Sequence, residues 1–108
     1  MATGRLASPV QLAATTNTTV YTVPTGYYSV FNVSMTNTST SPVTIRLAMA
    51  STSTPSTAEW IEYDTTIVAK GVFERTGLVL DTGKLIVAYA SAGSAVNVTV
   101  YGIETSVV

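Results

Sequence analysis

The sequence predicts an all-β domain, an antiparallel β-sandwich or jelly-roll-like arrangement of about eight strands with one short helical turn. Three observations predict it. Apolar and polar residues alternate with period two in short segments, as half-buried strands require. Gly, Pro, Asn, Asp and Ser punctuate those segments at short intervals. Thr and Ser supply 31 of the 108 residues, whereas charged residues supply only 10%. Thr is β-branched and suits a pleated surface, and a typical soluble domain is about 25% charged.

The first expected strands are Val10–Ala14 and Thr18–Val23. The turn Val23-Pro24-Thr25-Gly26 has Pro second and Gly fourth, as a type I turn prefers. In Tyr27–Asn37, Phe31, Val33 and Met35 alternate with Asn32, Ser34 and Thr36. A polar loop, Asn37-Thr38-Ser39-Thr40-Ser41-Pro42, leads into the clearest strand. There Val43, Ile45, Leu47 and Met49 share one face, and Thr44, Arg46 and Ala48 the other. The helical turn is expected at Thr54–Glu59. Pro55 suits a first helical position after a Thr54 cap, and Ser56-Thr57-Ala58-Glu59 has the form of a capping box. Trp60–Val68, Val72–Leu80 and Leu85–Ser91 follow, joined by Ala69-Lys70-Gly71 and Asp81-Thr82-Gly83. After Ala92-Gly93-Ser94, Val96, Val98 and Val100 alternate with Asn97, Thr99 and Tyr101. One domain is expected over 1–108, with a flexible N-terminal arm at 1–7 and a loose tail at 105–108.

Charge and composition exclude several classes of function. The net charge is −1, and Arg5, Arg46, Lys70, Arg75 and Lys84 are dispersed. No cluster can neutralise several phosphates or hold to an anionic lipid surface, so neither nucleic acid nor membrane is an expected partner. The chain contains no Cys and no His. Disulfides, zinc and iron–sulfur centres, and Cys–His or Ser–His–Asp catalysis are thereby excluded, and no cofactor is expected. The first residues carry no apolar run of the kind that marks a secretory signal. No segment reaches the ~18 apolar residues of a membrane span.

Three motifs invite chemistry. Asp81-Thr82-Gly83, preceded by Val79 and Leu80, has the form of an aspartic-protease triplet. It sits near the end of the chain, and no apolar-apolar-Gly partner segment accompanies it. A hairpin turn explains it better. Gly83-Lys84 fails the phosphate-loop pattern twice, in its glycine spacing and in Leu85 where Ser or Thr is required. Glu59, Glu62 and Asp64 form the one acidic cluster. On a regular strand Trp60, Glu62 and Asp64 share a face, which with an aromatic neighbour has the makings of a sugar site. A solvated or subunit-facing surface, with Arg46 or Arg75 as ion-pair partners, explains it better. Tyr28, Arg46, Trp60, Glu62, Asp64 and Tyr101 are the candidate interface residues, because exposed aromatics and Arg anchor protein contacts.

The order of certain segments resembles small β-sandwich accessory virion proteins of tailed bacteriophages, of capsid decoration (cement) or tail-fibre type. The resemblance spans about Leu12 to Glu104 and carries no catalytic signature. It rests on Thr18-Thr19-Val20-Tyr21-Thr22-Val23-Pro24-Thr25-Gly26, Pro42-Val43-Thr44-Ile45-Arg46-Leu47-Ala48 and Thr57-Ala58-Glu59-Trp60-Ile61-Glu62-Tyr63-Asp64. Gly71-Val72-Phe73-Glu74-Arg75-Thr76-Gly77-Leu78 and Val98-Thr99-Val100-Tyr101-Gly102-Ile103-Glu104 complete it. It implies a non-enzymatic virion protein assembled in the host cytoplasm. It also implies a homo-oligomer, commonly a trimer, that bridges major capsid subunits or other virion proteins. The rival classes are a carbohydrate- or receptor-binding sandwich using Trp60, and a protease using Asp81.

Overall fold

A computed structural model describes residues 3–107. Nine strands make up the fold: β1 (Thr3–Arg5), β2 (Val10–Gln11), β3 (Thr18–Thr22), β4 (Tyr27–Asn37), β5 (Val43–Ala50), β6 (Trp60–Ile67), β7 (Val72–Leu80), β8 (Leu85–Ala90) and β9 (Val96–Ser106). One antiparallel sheet has the order β1-β9-β4-β7, with β2 beside β1 on the same edge of β9. The other has the order β3-β8-β5-β6. From β2 onward every connection crosses between the sheets except the β5–β6 hairpin. That wrapping is a jelly roll.

The alternating strands fill the space between the sheets. Phe31, Val33 and Met35 of β4 and Val96, Val98 and Val100 of β9 face Val43, Ile45 and Leu47 of β5 and Ile86, Ala88 and Ala90 of β8. Each of these twelve is at most 2% exposed. Burying an aliphatic side chain of this size stabilises by ~1.5–3 kcal/mol, so the four central strands hold the sandwich closed.

Several expectations change. The N-terminal arm is in part a strand: Thr3–Arg5 pairs with Ile103, Gly102 and Tyr101. An uncovered β9 would present a row of unpaired backbone groups, and β1 and β2 occupy that edge. The expected loose tail is paired through Ser106, opposite Tyr27, and Val107 N donates to Gly26 O at 3.0 Å. Met1, Ala2 and Val108 of those two ends lie outside the described residues. The expected strand Val10–Ala14 shortens because the chain changes sheets there. Leu12 N still bonds Val96 O at 2.9 Å, yet Ala14 already bridges Ala90 of the opposite sheet. The helical turn is one 3-10 turn, Thr57–Glu59, capped by Ser56 and not by Thr54. Glu59 supplies the closing half of the capping box, accepting from Ser56 N at 2.9 Å.

Candidate functional site

Five of the six candidate interface residues divide between the two outer faces of the sandwich. Arg46, Trp60 and Asp64 meet on the β3-β8-β5-β6 sheet. Tyr28 and Tyr101 lie on the other sheet, and Glu62 joins neither group.

Irregularity in β6 causes the separation. Ile45 pairs with Thr65, Leu47 with Glu62 and Ala48 with Trp60. Twice, therefore, β6 spends one residue more than β5, and each bulge reverses the alternation that a regular strand would keep. Asp64 sits in the first bulge at φ 56°, a left-handed conformation that Asp tolerates better than most residues. Its carboxylate accepts from Arg46 Nε at 2.7 Å and Nη2 at 3.3 Å. Hydrogen bonding to Asp64 raises the Arg46 pKa further. The expectation that Glu62 shares a face with Trp60 and Asp64 is thus corrected. Glu62 turns to Arg75 of β7, and Thr65 Oγ1 donates to it at 2.8 Å. That ion pair ties the free edges of the two sheets together.

Arg46 is held from both sides. Its guanidinium lies 4.1 Å from the ring centre of Tyr63 and 4.3 Å from that of Tyr89. Trp60 meets Tyr63 edge-on, with ring centres 5.8 Å apart. Trp60 and Leu85 also cover a second small core on the outside of this sheet, made of Ala48, Ala50 and Val87. Thr57, Trp60 and Tyr63 line a shallow depression beside it.

The opposite face presents a different surface. Val30 lies between Ile103 of β9 and Val79 of β7. Tyr28, one step along β4, extends the row. Their exposures are 37% for Tyr28, 38% for Val30, 57% for Val79 and 45% for Ile103. Tyr101, the next outward position of β9, donates to Glu74 at 2.7 Å, and that bond raises its phenol pKa. The apolar row was legible but not singled out: Val30 and Ile103 have outward parity on strands whose other outward residues are mostly Thr, Ser and Asn.

One buried network was also missed. Tyr21 Oη donates to Glu104 Oε2 at 2.7 Å and accepts from Ser29 Oγ at 2.5 Å. Burial pushes the Tyr21 phenol well above its ordinary pKa. The signal lay in parity. Ser29 aligns with Phe31 and Val33, and Glu104 with Val98 and Val100, so both point inward.

Asp81 opens the turn that follows β7. Lys84 N closes the turn on Asp81 O at 3.3 Å, and Gly83 sits at φ 76°. The turn does not form a hairpin as expected, because β7 and β8 belong to different sheets. It is a corner of the sandwich, pinned by Thr82 Oγ1, which accepts from Gly26 N at 2.9 Å and donates to Pro24 O at 3.2 Å. A bond from its own backbone amide, then Lys84, holds the exposed Asp81 carboxyl below the usual carboxylate range. Among the described residues no group of three or more acidic side chains could hold a metal ion.

No protein-family model matches the chain, and no curated protein matches it. Solved structures do. A chain from the acidic stable capsid structure of Helicobacter pylori bacteriophage KHP30 overlays at TM-score 0.55 and 16% identity, covering 97% of this chain and 94% of that one. The crystal structure of PirA is similar at TM-score 0.49 and 16% identity, over 91% and 94% of the two chains. The cyanophage Pam1 capsid asymmetric unit follows at TM-score 0.42 and 15% identity, over 93% and 82%. The chain therefore shares the fold of a bacteriophage capsid-structure chain over nearly the whole length of both.

Proposed function

We propose that this chain is a non-enzymatic structural protein of a bacteriophage virion, acting as a capsid decoration (cement) protein. The observation that carries the proposal is the near-complete overlay on a chain of the KHP30 capsid structure, at TM-score 0.55. The sequence resemblance to accessory virion proteins points the same way from independent features. The chain works as a homo-oligomer, a trimer in the arrangement that the resemblance implies.

Attachment falls to the apolar row Tyr28, Val30, Val79 and Ile103, and its occupant is the major capsid protein. This row supplies uncharged apolar area, which is what the desolvated centre of a stable protein contact needs. Polar Tyr101 and its neighbours form the rim. Sedimentation of the purified chain with empty capsids of its phage tests the proposal. Co-pelleting in saturable amounts is expected, and light scattering after size exclusion is expected to return a trimer. A monomer that stays in the supernatant with capsids would contradict it, and pelleting with tails alone would move the chain to a tail or fibre.

A further inference from the structure

We propose that Trp60, Tyr63, Arg46 and Asp64 form a carbohydrate-binding site that takes a neutral hexopyranose ring. The site is independent of the virion assignment: it joins a depression lined by Thr57, Trp60 and Tyr63 to the Arg46–Asp64 ion pair beside Tyr63.

A pyranose has an apolar C–H face and an equatorial rim of vicinal hydroxyls. Thr57, Trp60 and Tyr63 line a concave surface in which two aromatic rings meet edge-on, with centres 5.8 Å apart. The polarised C–H groups of a sugar are attracted by aromatic faces much as cations are. Next to the rings stands a bidentate pair, with Arg46 Nε 2.7 Å from Asp64 Oδ1 and Nη2 3.3 Å from Oδ2. Such a pair offers donors and acceptors side by side, as vicinal hydroxyls require. Arg46 Nη1, Tyr63 Oη and Trp60 Nε1 have no hydrogen-bond partner among the described residues. The mutual neutralisation of Arg46 and Asp64 selects a neutral sugar, because an anionic one would have to compete with Asp64 for the guanidinium.

Packing explains only part of the arrangement. Trp60 covers the small core of Ala48, Ala50 and Val87, whereas Tyr63 remains 58% exposed. Two bulges within six residues aim these side chains, and Asp64 holds a left-handed backbone there. Strained non-glycine positions and bulges concentrate where a side chain must be aimed. Arg46, fixed between two rings, is ordered before any ligand arrives, which lowers the entropic cost of binding.

Trp60 is the only tryptophan in the chain, so its fluorescence reports on the site directly. The probes are glucose, galactose, mannose and N-acetylglucosamine, titrated to about 0.1 M. That is well above the ~1 mM dissociation constant a twelve-atom ligand reaches at ordinary ligand efficiency. A saturable change in emission is expected with at least one of them. Tyr63→Ala and Asp64→Asn are expected to weaken binding about tenfold. Tyr28→Ala, on the opposite face, is expected to leave it unchanged, and Tyr63→Phe, which keeps the ring but not the hydroxyl, to weaken it less than Tyr63→Ala does. Far-UV circular dichroism establishes that each variant is folded. No saturable change with any of the four sugars would overturn the proposal, as would binding that survives Tyr63→Ala. Tighter binding of N-acetylneuraminic acid than of every neutral sugar would overturn the neutral assignment.

Discussion

Tyr21 shows how one hydroxyl can join two sheets. It belongs to β3 at the edge of one sheet, and its partners Ser29 and Glu104 belong to the central strands of the other. Removing the hydroxyl strands a buried acceptor, which costs about 1–3 kcal/mol. Tyr21→Phe is therefore expected to lower stability by that amount in urea unfolding at pH 7. The phenol pKa is raised on folding, so its contribution is complete below the unfolded value near 10 and is lost as pH rises beyond it. Between pH 10 and 11, stability is expected to fall by about 1 kcal/mol more in the wild type than in Tyr21→Phe. Equal slopes would mean that the phenol ionises freely in the folded chain. Parity makes Ser29 and Glu104 readable as inward polar residues. Tyr21 is not readable in that way, because a register shift between Thr19 and Tyr21 turns both Val20 and Tyr21 inward.

Strands are where sequence and structure agree best and also where they part. Regular alternation in β4, β5 and β9 identifies the inner face correctly, since each pairs there without interruption across the sheet centre. In β6 the same rule fails after the first bulge, because one inserted residue exchanges the two faces. Charge alone pointed to Arg46 or Arg75 as partners of the acidic cluster; which carboxylate each arginine takes, and on which surface, was not legible. The bulge itself can be tested. Asp64→Gly keeps the left-handed backbone at no steric cost, whereas Asp64→Ala does not. The Ala variant is expected to be less stable than the Gly variant by about 1 kcal/mol in chemical denaturation, and the reverse order would argue against a strained bulge. In β9, Gly102 allows close approach to β4: an added Cβ would lie 2.2 Å from Val30 O and 2.6 Å from Phe31 Cα. Backbone atoms cannot yield that much without breaking the ladder. Gly102→Ala is expected to cost at least ~3 kcal/mol, read as a fall in melting temperature.

At the scale of the whole molecule the jelly roll sets two chemically distinct faces back to back. One carries an uncharged apolar row centred on Val30, and the other an aromatic–arginine cluster centred on Arg46. The architecture was readable because each strand is short and bounded by turn residues. The pairing order was not, because every sheet-crossing connection looks like an ordinary turn in sequence; Asp81-Thr82-Gly83 is the clearest case. With the faces separated, their roles become separable. Val30→Asp and Ile103→Asp place charge on the apolar row without touching the interior, and are expected to abolish capsid binding while changing stability by no more than ~0.5–1 kcal/mol. Trp60→Ala is expected to leave capsid binding intact. Difference density between bare and decorated empty capsids in electron micrographs tests the central claim most directly. Added density that fits this jelly roll, with Val30 and Ile103 against the shell, is the predicted result. Capsids that gain no density at saturating protein would contradict it.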